Sequence, residues 1–543
     1  MVGCGGPDPR VRTPEPASPA IRFEDAAERL SVRFRHQNGA AGRKWMPETM
    51  GSGCAVLDAN ADGRPDLLFV DGTPWPGDPG PPGQSRLFLQ LPDGRFTDST
   101  RQFRLPAGLI GMGAAVADYD NDGFQDLVVT ALNGSRLLRN RGGLYFEDVT
   151  ARWNLRTAGW PTSAAWLDYD RDGLLDLFLC SYVNWTPSGD LFATLDGTHK
   201  TYARPDEYTG GQCRLFRQQA GRFVEVSAAA GVAVPNAKAL GVALCDFDRD
   251  GWIDLAVSND TVPNFLFHNQ GNGTFKEVAV QAGVAVAEGG RAKAGMGIDV
   301  SDFANSGQDS ILITNFSGEQ LSLYQRDGSG LFQDVAARAG VGIPSQRYLG
   351  FGAFFFDADL DGCQEILVAN GHIQRDIQHR STEVTYAQPA LLFHCATGGV
   401  FEDTSRTAGA LATPRVARGA AYADLDGDGD LDVVVTTNGG PAAVLLQRGG
   451  PQNHWLRLLL EGRRSNRSAI GAAVRVRTGE RVQTRMVRSG SSYLSQSEII
   501  LTFGLGAAPG ADEVEVRWPN GNVESYGAQR GNQVLRLIER HTP

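Results

Sequence analysis

The chain has 543 residues, with 51 Lys and Arg against 62 Asp and Glu, for a formal net charge of −11. A hydrophobic content of 41% supports a sizeable core and excludes a disordered chain or a collagen-like fibre. The acid excess argues against nonspecific binding to nucleic acid or anionic lipid, and no apolar run reaches the roughly 18 residues a membrane-spanning helix needs.

The chain opens Met1-Val2-Gly3-Cys4-Gly5 and continues through a Pro-rich stretch to Pro19. This resembles the end of a bacterial lipoprotein signal with Cys4 as the acylated residue. The expectation is a linker over residues 1–20, lipid-anchored at Cys4, on a secreted, periplasmic or cell-surface protein whose signal peptide is missing from this start. The seven cysteines (Cys4, Cys54, Cys180, Cys213, Cys245, Cys363 and Cys395) form no CxxC pair, which argues against a zinc ribbon or a thioredoxin motif.

From Arg22 onward two elements alternate. One is a carboxylate loop, Asp58-Ala-Asn60-Ala-Asp62-Gly63-Arg64-Pro-Asp66, which recurs from Asp118, Asp168, Asp246, Asp357 and Asp424, with a degenerate copy from Asp302. The other is an aromatic-acid strand at Phe23, Phe96, Phe146, Phe223, Phe275, Phe332 and Phe401. Around each loop the pattern predicts four short strands separated by Gly- and Asn-rich turns, so each repeat reads as one propeller blade. The first aromatic strand precedes the first loop and none follows the last. That offset predicts that the N-terminal strand completes the final blade, closing a seven-bladed all-β propeller over residues 21–450. The first, third and sixth repeats carry extra residues after their second strand, predicted to project from one face. Beyond Asn453 the loops stop and period-two alternation, as in Val474-Arg-Val-Arg477, predicts a separate small β domain over 451–543.

The loop spacing is chemical. Carboxylates at positions 1, 3, 5 and 9, a backbone carbonyl at 7 and Gly at 6 supply hard oxygen ligands for Ca²⁺. An EF-hand would place a ligand Glu at position 12 between helices, whereas here position 10 begins an apolar strand. The candidate ligands are Asp58, Asn60, Asp62, Arg64 and Asp66 in loop 1; Asp118, Asp120, Asp122, Phe124 and Asp126 in loop 2; and Asp168, Asp170, Asp172, Leu174 and Asp176 in loop 3. Loop 4 offers Asp246, Asp248, Asp250, Trp252 and Asp254; loop 6 Asp357, Asp359, Asp361, Cys363 and Glu365; and loop 7 Asp424, Asp426, Asp428, Asp430 and Asp432. Loop 5 keeps one in-register carboxylate, Asp302, beside Ala304, Ser306 and Ser310, so about six Ca²⁺ sites are expected. Without metal, the clustered carboxylates would repel.

The loops with their GxGxA and FxDV flanks resemble FG-GAP/VCBS repeats, as in the integrin α-subunit propeller. Asn453-His-Trp-Leu456, Asn466-Arg-Ser-Ala-Ile-Gly-Ala472, Gly490-Ser-Ser-Tyr-Leu-Ser-Gln496 and Val516-Arg-Trp-Pro-Asn-Gly521 resemble the ASPIC/UnbV domain. Together they are similar to the cartilage acidic protein family and its bacterial relatives, as are Ser181-Tyr-Val-Asn-Trp-Thr186, Tyr202 to Tyr208 and Asn370-Gly-His-Ile373. The resemblance implies a secreted or surface-attached calcium-binding protein and no defined enzymatic activity. Relatives often carry a Cys pair in the third-repeat insertion where this chain has Ala193 and Ala203, and Cys180 and Cys213 flank that insertion as an alternative pair.

Three functions follow as expectations. The first is an extracellular binding or adhesion module whose insertion face, with Trp185, His199, Tyr202, Tyr208, His372, His379 and Tyr386, takes a protein or glycan. The second is a carbohydrate-active enzyme using His372, Asp376 and His379; the chain has neither HExxH nor GxSxG. The third is a structural part of a surface assembly, docked through a basic patch of Arg475, Arg477, Arg481, Arg485 and Arg488.

Overall fold

The computed structural model describes residues 21–194, 196–327, 329–396, 399–449 and 452–540. The expected lipid anchor at Cys4 lies outside them. Each carboxylate loop joins the first two strands of a four-stranded antiparallel sheet, as Asp118–Asp126 joins Gly111–Ala117 to Asp126–Ala131, with Val116 opposite Leu127. Arg136–Asn140 and Phe146–Asp148 complete that sheet. Seven such sheets precede Gly449 among the described residues. Their first strands touch in circuit, from Cys54–Leu57 through Gly111–Ala117, Pro161–Leu167, Ala239–Cys245, Ile298–Ser301 and Gly350–Phe356 to Ala417–Ala423 and back to Cys54–Leu57. The last sheet takes its outer strand from the N-terminus: Arg22–Asp25 pairs antiparallel with Ala443–Arg448, Phe23 opposite Gln447. The ring is therefore closed by the N-terminal strand, and the edges that remain are the short outer strands of the sheets.

Neighbouring sheets are clipped at the axis by hydroxyls. Thr130 Oγ1 donates to the Thr162 carbonyl at 2.6 Å, Thr314 Oγ1 to Phe351 at 2.9 Å and Thr436 Oγ1 to Ser52 at 2.6 Å. Each side chain sits on or just after a second strand and reaches the start of the next sheet's first strand. These buried bonds satisfy backbone acceptors that the narrow axis closes to water.

The C-terminal segment forms two more sheets. One has His454–Glu461 between Leu501–Gly506 and Gln533–Ile538; the other runs Arg481–Met486, Ala473–Thr478, Gly510–Arg517 and Val523–Arg530. Their apolar faces share one core through Leu456, Leu458, Val474, Val476, Val514 and Trp518. That core is continuous with Tyr119, Trp166 and Ile253 of the ring, so the segment does not stand apart. It covers the loop face and sends residues 489–497 down the central channel. There the Leu494 carbonyl accepts from Ala114 N at 3.2 Å, Ser492 and Ile298 exchange backbone hydrogen bonds, and Val56 N donates to the Gln496 carbonyl at 3.0 Å. Gly113 is a glycine because a Cβ there would lie 2.7 Å from the Leu494 carbonyl oxygen.

Two sequence expectations are corrected. Cys180 and Cys213 do not pair; both are buried free thiols, and the disulfide joins Cys363 to Cys395, whose Cα atoms are 5.9 Å apart. The five arginines of the expected basic patch are dispersed into separate contacts. Arg488 pairs with Asp299 at 3.2 Å, Arg477 with Glu513 at 3.4 Å, Arg485 donates to the Asp302 carbonyl at 3.3 Å and Arg481 to the Asp361 carbonyl, while Arg475 faces solvent. No helix among the described residues is long and apolar enough to cross a membrane.

Candidate metal loops on the covered face

The loops share one hydrogen-bonded frame. In all seven loops the position-1 carboxylate accepts from the position-6 N–H, and in loops 1, 2, 3 and 5 also from that of position 5: in loop 2, Asp118 takes Asp122 N at 2.9 Å and Gly123 N at 2.7 Å. Loop 3 repeats this with Asp168, Asp172 and Gly173 at 3.1 and 3.0 Å. Position 6 is left-handed, with φ near 96° at Gly123, and only glycine takes it without strain. Position 4 is also left-handed, in Ala61, Asn121, Arg171, Arg249, Asn305 and Leu360, although none of these is glycine. The turn is tight enough to hold six non-glycine residues in that region.

Position 9 is a latch as well as a candidate ligand. Asp126 accepts from Tyr119 N at 3.2 Å and Asn140 N at 2.7 Å, and Asp66, Asp176, Asp254, Glu365 and Asp432 repeat the pattern. One carboxylate thus ties the loop start to the third strand while fully buried. Burial outweighs those N–H donors and drives the carboxyls up, Asp66 to about 7, Asp432 to about 8 and Asp254 to about 9.

Loop 5 keeps the frame without the charge. Asp302 accepts from Ser306 N at 2.7 Å and Gly307 N at 2.6 Å, and Ser306 Oγ replaces the position-5 carboxylate as acceptor for Gln308 N at 3.2 Å.

A basic side chain on the third strand reaches the loop carboxylates in several sheets, which the repeat pattern did not reveal. Arg139 Nε lies 2.5 Å from Asp120 Oδ2 and Arg217 2.6 Å from Asp170 Oδ2. His268 Nε2 is 2.9 Å from Asp248 and His394 Nδ1 is 3.1 Å from Glu365. The signal that could have found them is their common register, one residue after the strand-three residue opposite position 10.

From above, the C-terminal sheets touch the position-1 carboxylates. Arg457 pairs with Asp424 at 2.7 Å and Arg517 with Asp246 at 2.6 Å, and Gly504 N donates to Asp357 Oδ2 at 2.9 Å.

The residues present fit a metal. Among buried side-chain oxygens without a partner are Asp120 Oδ1, Asp170 Oδ1, Asp357 Oδ1 and Asp430 Oδ1, all in these loops. Carboxylate oxygens of Asp118, Asp120 and Asp122 lie within 4.8 Å of one another, as do those of Asp168, Asp170 and Asp176 and of Asp246, Asp248 and Asp254. Buried unpaired carboxylate oxygens are costly unless a cation compensates them.

Residues 58–129, 118–179 and 246–313 match the FG-GAP-like repeat family, and residues 462–543 match ASPIC and UnbV. The chain is an FG-GAP-repeat protein with a C-terminal ASPIC/UnbV domain. It is 30% identical over 332 residues to cartilage acidic protein 1 of Mus musculus, covering 58% of this chain and 47% of that one. It is 25% identical over 470 residues to cartilage acidic protein 1 of Xenopus tropicalis, covering 79% and 65%. It thus spans less than two thirds of the length of these curated relatives. Among solved structures, rhamnogalacturonan lyase YesW overlays with a TM-score of 0.36 at 11% identity, covering 74% of this chain and 72% of that one.

In this FG-GAP-repeat protein the insertions and the loops lie at opposite ends of the strands, because loops join strands one and two whereas insertions join strands two and three. Trp185 and Tyr208 are buried there with Trp75, Trp160, Met46 and Met50. Their role is packing. His372 is buried too; its Nδ1 accepts from Gln374 N at 3.0 Å, and burial lowers its pKa to about 4. No hydrogen bond joins it to Asp376 or His379 among the described residues, so the His-Asp arrangement is not assembled. His199 is exposed against Asp196, and Tyr202 donates to Glu48 at 3.1 Å. Phe192, 66% exposed in the third-sheet insertion, was not singled out by its sequence context.

Proposed function

We propose that this protein is a calcium-stabilised extracellular binding or adhesion module. Six loops hold Ca²⁺ through the carboxylates at positions 1, 3, 5 and 9, with Asn60 at position 3 of loop 1 and the position-7 carbonyls of Arg64, Phe124, Leu174, Trp252, Cys363 and Asp430. Bound Ca²⁺ stabilises the ionised form of carboxylates that burial otherwise drives toward protonation, and loop 5 stays metal-free. The observation that carries this reading is the set of buried, unpartnered carboxylate oxygens inside the loops. FG-GAP repeats and the likeness to cartilage acidic protein 1 support an extracellular setting.

The loop face lies under the ASPIC/UnbV sheets, which leaves the opposite, insertion face for a protein or glycan partner. Phe192 and Leu191 give it exposed apolar surface and Arg375 and His379 give it exposed polar groups. The test is elemental analysis with thermal melts in Ca²⁺ and in EDTA, followed by glycan and protein arrays. About six ions and an array signal lost on Phe192→Ala support the reading. No bound Ca²⁺ with identical melts overturns its metal half; an array signal unchanged by insertion-face substitutions overturns its ligand half.

A further inference from the structure

One loop departs from the others in two linked ways and joins to them a histidine that only loop 4 shares. Only loop 6 has Glu at position 9, where the other five full copies have Asp. Among the described residues only loop 6 is covalently stapled: its position-7 residue, Cys363, is bridged to Cys395 on the third strand. The residue before Cys395 is His394, at the register position occupied by Leu89, Arg139, Arg217, His268, Gln325 and Leu446 in the other sheets. Guanidinium has no lone pair to offer a metal, and leucine has no polar atom; an imidazole nitrogen is a metal ligand.

We propose that loop 6 is a mixed imidazole–carboxylate site that holds a divalent first-row transition ion of the Zn²⁺ class in preference to Ca²⁺. Asp357, Asp359, Glu365 and His394 are its side-chain ligands. This rests on the reading of the loops as metal holders and narrows it for one of them.

The donors are in place. His394 Nδ1 lies 3.1 Å from Glu365 Oε1 and 3.8 Å from Asp359 Oδ2. Around an ion with bonds of about 2.0–2.1 Å, adjacent donors sit roughly 3–3.5 Å apart, and the ligand atoms of Asp359, Glu365 and His394 already lie within 4.8 Å of one another. Asp357, Asp359 and Glu365 are 1%, 7% and 0% exposed, and Asp357 Oδ1 is buried without a partner. Asp357 opens the same loop; burial first, and then the charges of Glu365, Asp359 and Asp361, disfavour its ionised form in the absence of a cation. The extra methylene of Glu365 lets position 9 meet the imidazole while still accepting from Ala358 N and Cys395 N, at 2.8 and 3.2 Å. The disulfide fixes the loop on the strand that carries His394. An imidazole in the shell favours Zn²⁺ over Ca²⁺, which suits all-oxygen shells.

Loop 4 provides the internal contrast. His268 faces Asp248 and Asp250, both exposed, and its Nδ1 lies 3.0 Å from Gln270 Nε2. It stands 2.9 Å from the exposed Asp248 on a loop with Asp at position 9 and no disulfide.

The experiment uses the full chain, stripped with EDTA, saturated with Ca²⁺ and titrated with Co²⁺ as a spectroscopic stand-in for Zn²⁺. About one equivalent of Co²⁺ retained through gel filtration in excess Ca²⁺ is expected, with visible d–d bands, and Zn²⁺ should displace it. His394→Gln should weaken Co²⁺ binding by at least about tenfold while His268→Gln leaves it unchanged. X-ray absorption at the cobalt edge of the unsubstituted chain reads the imidazole directly, so the proposal stays testable if His394→Gln misfolds. No retained Co²⁺, equal retention in His394→Gln, or a shell without imidazole nitrogen overturns it. The Ca²⁺ count of the same samples reports separately on the other loops.

Discussion

Tyr493 donates a hydrogen bond to the Met50 carbonyl oxygen at 3.0 Å, across 443 positions of sequence. Its ring meets Phe351 edge-on with centroids 4.9 Å apart, and it is fully buried in the central channel. The ASPIC/UnbV sheets therefore close the hole that the ring of FG-GAP sheets leaves at its axis. Tyr493→Phe removes one buried donor and should cost about 1–2 kcal/mol; Tyr493→Ala empties the channel and should cost about 3–5 kcal/mol. Urea unfolding of both variants checks the order. Both regions should unfold in one transition, and two transitions in the parent chain would refute the plug as a shared core.

Metal and pH should interact. In the metal-free fold, burial raises Asp66, Asp118 and Asp168 to about 7, Asp432 to about 8 and Asp254 to about 9. Between an unfolded carboxyl pKa of about 3.9 and those values, the folded state binds more protons than the unfolded state. Stability of the metal-free protein therefore falls as pH rises from about 4 through 7 to 9. Bound Ca²⁺ holds these groups ionised and removes that slope. Melts in Ca²⁺ and in EDTA should diverge steadily from pH 5 to pH 8; a constant difference would show that the buried carboxylates are not what the metal compensates.

Most of the ring was legible because its repeat is local. Phe96, Phe146 and Phe401 mark outer strands by period alone, and the aromatic-acid strand at Phe23 without a successor after the last loop was enough to place Arg22–Asp25 beside Ala443–Arg448. The loop frame was equally local, since Asp118 and Gly123 meet within one turn. What pairing brings from afar was not legible. Arg139 and His394 reach the loops only through strand register, and Tyr493 reaches Met50 only through the closed ring. The arginines from Arg475 to Arg488 read as a patch because alternation gives their facing, not the covering surface that engages them.

The pair between Arg457 and Asp424 is the most buried ion pair across the covered face among the described residues, with both side chains at most 5% exposed and Glu498 as a second carboxylate at 2.5 Å. Arg457→Met leaves Asp424 and Glu498 buried without their cation, a loss of about 3–5 kcal/mol in EDTA. Ca²⁺ in loop 7 would offset part of it by neutralising Asp424. Denaturant unfolding with and without Ca²⁺ should therefore show a smaller penalty in Ca²⁺; an equal penalty would place loop 7 outside the metal-holding set.

The disulfide of loop 6 gives the last prediction. Cys363 and Cys395 are 32 positions apart, and closing a loop of that length restricts the unfolded chain by about 3–4 kcal/mol in the chain-entropy account. The double substitution Cys363→Ser with Cys395→Ser should lower stability by that order, and reducing agent should do the same to the parent chain but nothing to the variant. The remaining cysteines among the described residues are all buried thiols, so they supply no second route to a redox effect. Because the bridge also pins position 7 to the strand beside His394, the variant should lose affinity for the loop-6 ion beyond its loss of stability. Metal titration at a denaturant-free baseline separates the two: unchanged affinity in a destabilised variant would make the disulfide a staple of the sheet alone.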